Sequence, residues 1–265
     1  MIATKLFGGL GNVMFQIATI ETFGKTLGQG VCYSNVDEWI DILLNDAVWT
    51  KHAEDYLDIF PNIDFYKNHY QRFKFSKQIN VGFPYTQVVI EDGNTLSGYF
   101  QSEKNFPDRT FIEWLFTPSE LVNEKLSKYK NLLKGNTCSI HVRRGNYRNL
   151  QNRHPILSMD YYAKAILTLD PFKIDRFFVF SNDVNWCRNN FIGDKFTFVD
   201  DVDYVALFLM TQCSHHIISN SSFAWWGAWL KETRDTVTIA PEVWFGNFLP
   251  QDYAADIIPQ RWVKL

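Results

Sequence analysis

The heptapeptide HVRRGNY, residues 141–147, sets Arg143 and Arg144 directly behind a run, Thr137 to Val142, that reads as a buried strand, and directly before a glycine. Guanidinium groups carry permanent charge and forked donors that match phosphate oxygens. Asn220, Ser221 and Ser222 stand in the same relation to a second strand-like run ending near Ser219, and they open an apolar helical stretch. Hydroxyls and the free N–H groups of a helix start add neutral donors. Taken singly, the arginines suit a surface salt bridge and the serines a simple helix cap. Together, at the ends of two strands of one sheet, they suit a phosphate cradle.

A third segment, GGLGN at residues 8–12, follows a short strand-like run. Gly9 and Gly11 permit close backbone approach, and Asn12 can cap the helix that follows or donate a side-chain hydrogen bond; a tight turn with no ligand accounts for the segment equally well. The third glycine of G-x-G-x-x-G and the lysine of a P-loop are both absent, which argues against those nucleotide sites. Asp201-Val202-Asp203 matches the D-x-D pattern by which many sugar transferases hold a divalent metal. Three residues are a weak match, and acids before an apolar helical run are explained by the helix dipole. His215 and His216 are neighbours in a strand, where side chains alternate between faces, so the two rings cannot share an ion. No metal site is expected.

The elements that must position these groups follow from periodicity. Residues 2–7 read as a strand, and Val13, Met14, Ile17, Ile20, Phe23 and Leu27 recur at helical spacing after it. Between about 31 and 110 the pattern is irregular, with strand-like runs at 88–90 and 95–100 and a helical piece at 38–44. Residues 119–133 read as a polar-faced helix opened by Ser119, and KGNT then punctuates the chain, predicting a boundary between domains of residues 1–134 and 135–265. Beyond it, strand-like runs at 137–142, 176–181, 196–199, 215–219 and 236–240 alternate with helical runs at 160–169, 184–191, 203–213 and 222–232. Such alternation predicts a parallel sheet wrapped by helices, with ligands outside the carboxyl ends of its strands.

Composition narrows the class. A net charge of −3 argues against a nucleic-acid binder acting through a broad basic surface and against a polybasic membrane anchor, leaving at most peripheral membrane association. Aromatic residues make 17% of the chain; flat rings suit sugar stacking, but core packing explains most of them, including Trp225, Trp226 and Trp229. Cys32, Cys138, Cys187 and Cys213 form no C-x-x-C pair and read as reduced, buried thiols. With no leader-like start and no apolar run long enough to span a bilayer, a soluble cytoplasmic protein is expected.

The segments GGLGNVMFQIA, SGYFQSEKNF, HVRRGNY, HPILSMDYY, FVFSND and SNSSFAWWGAWL, in this order, resemble glycosyltransferase family 11, the alpha-1,2-fucosyltransferases, and related GDP-fucose users that share an H-x-R-R segment. The likeness runs from Phe7 to the closing IIPQRWVKL. It implies an α/β fold of GT-B type, two Rossmann-like domains with parallel sheets facing a cleft, the first serving the acceptor and the second the sugar nucleotide. It implies an inverting transfer of L-fucose from GDP-fucose to the 2-hydroxyl of a galactoside, with an oligosaccharide acceptor and no metal or other cofactor. By resemblance Arg143 binds the diphosphate with Arg144 and His141 in support, replacing a divalent cation. Asn220, Ser221, Ser222 and the backbone from Gly9 to Asn12 complete the cradle.

Two departures matter. Many relatives have an acid where this chain has Asn146, and an amide holds no acceptor proton, so the base is either another carboxylate, such as Asp160, or the leaving phosphate itself. Relatives commonly place an aspartate for guanine where Ala206 stands; Asp203, one turn earlier, is the substitute, and Val13 stands where relatives often have Gln. These departures keep two alternatives open: a transferase of the same fold using another 6-deoxyhexose nucleotide, and a catalytically silent glycan- or nucleotide-binding relative. Transfer activity is expected to survive a strong chelator. Loss restored by magnesium or manganese would instead assign Asp201 and Asp203 to a metal.

Overall fold

Short apolar runs separated by helical stretches assemble two wholly parallel sheets in the computed structural model, which describes residues 1–45, 52–67, 77–82 and 85–265. Met1–Ser119 with Ala254–Ile257 forms one unit, and Glu120–Tyr253 with Ile258–Leu265 forms the other. The first contains β1 (Ile2–Thr4), α1 (Leu10–Leu27), β2 (Val31–Tyr33), α2 (Val36–Asn45), β3 (Lys77–Val81), β4 (Asn94–Gly98) and α3 (Arg109–Leu115), with strand order β2-β1-β4-β3. The second contains α4 (Glu120–Leu126), β5 (Thr137–Val142), α5 (Met159–Thr168), β6 (Arg176–Ser181), α6 (Val184–Asn190), β7 (Phe196–Val199), α7 (Asp203–Met210), β8 (His215–Ile217), α8 (Ser222–Trp229), β9 (Thr238–Ala240) and β10 (Val263–Lys264). Its strand order is β10-β9-β8-β5-β6-β7.

The second unit is built as its alternating pattern predicts. All six residues of β5 are buried, and Ile140, Val142, Val179, Ile217 and Ile239 pack with Tyr161, Tyr162 and Ala165 of α5. A strand covered on both faces tends to a continuous apolar run, as β6 shows, while β5 alternates Cys138, Ile140 and Val142 with polar residues. Trp225, Trp226 and Trp229 are buried in α8, with Trp225 stacked on Trp229 at 5.6 Å, so they are packing residues. A Cβ on Gly227 of that helix would meet Met210 Cβ at 2.9 Å, so α7 and α8 approach closely there. All four cysteines are buried free thiols. Among the described residues no helix is long and apolar enough to cross a membrane.

Three expectations change. Residues 88–90 form no strand: Val89 is 81% exposed, and the sheet's fourth strand is instead the polar β3, which pairs with β4 from Lys77↔Asn94 to Val81↔Gly98. An edge strand with a single buried residue carries no hydrophobic period to read. The helix expected over 119–133 stops at Leu126 and tightens into a 3₁₀ turn at Ser127–Tyr129, where the Ser127 hydroxyl donates to the Glu124 carbonyl at 2.6 Å. The units divide at Ser119/Glu120 rather than at 134/135, because α4 packs on α7: Lys125 bonds Tyr204, and Tyr129 donates to Asp201 at 2.9 Å.

The seam between β5 and β8 is closed by two serine–histidine pairs. Ser139 Oγ meets His216 Nδ1, and His141 Nδ1 meets Ser219 Oγ, each at 2.8 Å. Burial, with a smaller contribution from Arg143, pushes the His141 pKa down to about 3; burial and then His215 do the same to His216. Folding therefore keeps both rings neutral, so protons favour the unfolded chain. Stability from these rings is full above the unfolded histidine value and falls as pH drops from about 6.5 toward the folded value. Acidification from about pH 7.5 to 5.5 is expected to remove on the order of 2–3 kcal/mol of unfolding stability through His141 and His216 together, and His216→Gln to remove roughly half of that share. Urea unfolding at the two pH values checks this, and an unchanged wild-type midpoint would contradict it.

Candidate active site

In the second unit the chain runs from β5 outward through β6 to β7, then returns to the other side of β5 for β8, β9 and β10. The order therefore reverses between β5 and β8, and in open parallel sheets ligands bind beyond the carboxyl ends of the strands at that point. Arg143 and Arg144 leave β5 there, and Asn220, Ser221 and Ser222 leave β8. The structure thus brings together the two groups that the sequence places at strand ends.

The two arginines have different surroundings. Arg144 is fixed: its Nε lies 3.4 Å from Asp183 and its guanidinium carbon 4.1 Å above the Trp186 ring. Arg148 joins the same carboxylate. Arg143 has no carboxylate or hydrogen-bond partner for its side chain among the described residues. Its guanidinium carbon instead lies 5.3 Å from the centre of the Tyr147 ring. Burial lowers its pKa, so the charge sits where water compensates it poorly. A partly buried cation with free donors suits an anion.

The surrounding groups hold this turn in place. Asn182 Oδ1 accepts from the backbone N–H of Arg144 (3.0 Å) and of Gly145 (3.2 Å), and a Cβ on Gly145 would lie 2.3 Å from Asn182 Nδ2. Asp183 also caps α6 through Trp186 N. Tyr147 donates its hydroxyl to the Asn220 carbonyl at 3.1 Å, tying the β5 turn to the β8 turn. Asn220 is buried, its Nδ2 donating to the carbonyls of Pro155 (3.1 Å) and Trp244 (3.0 Å), while its Oδ1 has no partner among the described residues. Ser221 occupies the N-cap position of α8, yet its hydroxyl makes no capping bond, and Ser222 opens the helix. The helix start therefore still offers donors.

The remaining candidates have other surroundings. His141 is enclosed within β5, its ring on Ser219 and 5.7 Å from Phe223, so it supports the β8 turn from beneath. Asn146 lies in the turn with its Oδ1 buried and unpartnered among the described residues. Asp160 is exposed in the first turn of α5, where its charge complements the helix N-terminus. Asp203 opens α7 and accepts from Tyr204 N at 2.8 Å, with Ala206 one turn further on. Asp201 is committed to Lys128 at 2.7 Å and to the Tyr129 hydroxyl.

Gly9, Gly11 and Asn12 belong to the first unit, where the strand order reverses between β1 and β4. The approach to this turn is clamped by three side chains. Asn35 takes the N–H and C=O of Leu6 at 2.7 and 3.0 Å; the fully buried Gln16 takes those of Phe7 at 3.1 and 3.0 Å; Trp39 Nε1 donates to the Gly8 carbonyl at 3.0 Å. Gly8 has φ 81°, and a Cβ there would meet Asn12 Nδ2 at 2.6 Å. Asn12 does not cap α1: Gly9 holds the N-cap position, and Asn12 Oδ1 accepts from Gln101 Nε2, just beyond β4, at 2.8 Å. Reading the sequence alone missed Asn182, Asp183, Tyr147, Gln16 and Asn35. Gln16 carried a signal, a lone amide within the otherwise apolar run from Val13 to Ala18.

The profile of Glycosyl transferase family 11 matches residues 1–265. An alpha-1,2-colitosyltransferase of Escherichia coli is 28% identical over 297 aligned residues, spanning 100% of this chain and 99% of that protein. The O-antigen biosynthesis glycosyltransferase WbnK, also from Escherichia coli, is 28% identical over 312, spanning 98% and 99%. Among solved structures, the fucosyltransferase NodZ from Bradyrhizobium superposes with a TM-score of 0.55 at 10% identity, covering 86% of this chain and 93% of its own. That likeness shows a common fold, and the expected α/β class of GT-B type, with two Rossmann-like units, stands.

The Asn182 clamp makes its own prediction. Asn182→Ala is expected to cost about 1 kcal/mol of stability because two backbone donors lose their acceptor at a partly wetted site. Gly145→Ala, which drives a methyl group into the same amide, costs more, and the double variant less than both losses added. Urea unfolding of the three variants measures this; fully additive losses would show that the two positions do not share one contact.

Proposed function

The chain belongs to glycosyltransferase family 11, and from that membership we propose that this transferase moves L-fucose from GDP-fucose to the 2-hydroxyl of a galactoside, inverting the anomeric carbon without a metal ion. The observation that carries the reading is Arg143, a partly buried guanidinium with free donors at the sheet's switch point, beside a helix start whose N-cap hydroxyl is unused. Breaking the bond from C1 to the diphosphate leaves oxocarbenium-like charge on the sugar and negative charge on the departing oxygen. Arg143 meets that growing charge in forked geometry, while Ser221 and the N–H groups opening α8 hold the rest of the diphosphate. Arg144, committed to Asp183 and Trp186, keeps the turn in register rather than serving as a second mobile cation. The commitment of Asp201 to Lys128 and Tyr129 supports the metal-free reading.

Asn146 leaves the acceptor proton to another group. Asp160 is exposed at the start of α5, and the leaving phosphate is the other taker. A second reading has specific support: one relative is named for colitosyl transfer, and Ala206 stands where relatives commonly carry the guanine-pairing acid. The same chemistry would then act on a different deoxyhexose nucleotide.

Isothermal titration with GDP, GDP-fucose and UDP, followed by turnover on a panel of galactosides, tests the reading. Absence of guanine-nucleotide binding would remove it, and tight binding without turnover would mark a silent relative. Arg143→Ala is expected to lower kcat/KM by about 10²–10³-fold, the range for loss of one key charge-stabilising donor. Asn146→Ala should cost less than about fivefold, as befits a neutral side chain with no proton to move. Equal small losses would contradict the assignment of Arg143.

A further inference from the structure

An arginine that must grip a phosphate needs a fixed position, yet the usual means of fixing it, a carboxylate, would occupy its donors and neutralise its charge. Arg144 is held in that way by Asp183. Arg143 is held by the Tyr147 ring, whose centre lies 5.3 Å from the guanidinium carbon, inside the roughly 6 Å range of attraction between a cation and a ring face. A ring face takes none of the five N–H donors. We propose that Tyr147 is the positioning residue of the transfer reaction: it replaces the missing carboxylate, aligning Arg143 while leaving its donors free for the leaving diphosphate. The proposal rests on the donor reading above and goes beyond it in naming what aims the guanidinium.

The structure fixes Tyr147 from two further sides. Its hydroxyl donates to the Asn220 carbonyl at 3.1 Å. Its ring stacks on His154 at 4.7 Å and 16°. His154 in turn meets Phe245 at 5.9 Å, and this segment is stitched to its neighbour by Gly246 N to Arg153 O (2.9 Å) and Phe248 N to Asn152 O (3.0 Å). Asn220 closes the circuit through Nδ2, which donates to Pro155 O and Trp244 O. Every contact of the Tyr147 ring thus leads back to the two turns that flank the switch point. Burial, then Arg153 and Arg143, lower the His154 pKa to about 4, so the ring stacked on Tyr147 is neutral at physiological pH and places no second charge against the same π-system.

Three replacements of Tyr147 separate the ring face from the hydroxyl, each measured for kcat, KM for GDP-fucose, and GDP affinity. Tyr147→Phe, which keeps the face, should lower kcat by about threefold, and Tyr147→Leu by about thirtyfold. The Leu variant combined with Arg143→Ala should be about as active as Arg143→Ala alone, because both changes act through one guanidinium. Should the Leu variant not fold, 3,4,5-trifluorophenylalanine in place of Tyr147 keeps the shape of the ring while withdrawing electron density from its face. It should then turn over several-fold more slowly than Tyr147→Phe. Equal rates for the fluorinated and plain rings overturn the inference. So does a Leu penalty as large in the Arg143→Ala background as in the wild type. These outcomes in a wild type that binds GDP and turns over leave the donor reading standing, whereas a wild type that binds no guanine nucleotide removes both.

Discussion

A partly buried guanidinium without a carboxylate beside it is an unfavourable thing to build, and the second unit is arranged around one. Desolvation of a charge costs several kcal/mol unless something answers it. At Arg143 the answer within the protein is the face of Tyr147, which holds the group in place but leaves most of its hydrogen-bonding capacity unspent. Its neighbour Arg144 shows the contrasting solution, with Asp183 and Trp186 absorbing charge and geometry together. Two adjacent residues of one type thus have different surroundings: one stabilises the turn, and the other keeps its donors unspent, as the proposed grip on a diphosphate requires.

The sheet makes this arrangement possible. Parallel strands deliver all their carboxyl ends to one edge, and the reversal of order between β5 and β8 opens a gap between two turns at that edge. Below the gap the seam is polar, its two histidines kept neutral and paired with Ser139 and Ser219. Above it Tyr147, Asn182 and Asn220 fix the backbone of both turns, so the donors are preorganised before any ligand arrives. Electrostatic preorganisation of this kind is usually the largest single contribution to a catalysed bond cleavage. The first unit repeats the logic with neutral groups. Asn35, Gln16 and Trp39 clamp three successive residues ahead of the glycine turn.

Much of the second unit could be read from its residues. β5 and β6 emerge at their observed limits, β6 from its apolar run and β5 from the alternation of Cys138, Ile140 and Val142 with polar residues, and the punctuation between them marks the helices. The candidate donors could be read too, because arginines and serines after such runs are unusual. What stayed hidden depends on contacts distant in sequence. Nothing local in Asn182 announces that it receives the N–H groups of Arg144 and Gly145, thirty-eight and thirty-seven positions away. The split between Arg143 and Arg144 is invisible for the same reason, since Asp183 and Trp186 come from another strand end. The polar edge strand β3 and the early stop of α4 were illegible for lack of hydrophobic period.

If a fixed arginine does here what a bound cation does elsewhere, a crystal structure of the chain with GDP will reveal it. Diphosphate oxygens are expected within hydrogen-bonding distance of the Arg143 guanidinium and of the opening turn of α8, with Arg144 still on Asp183. A diphosphate seated away from β5 and β8, with Arg143 turned out to solvent, would contradict it.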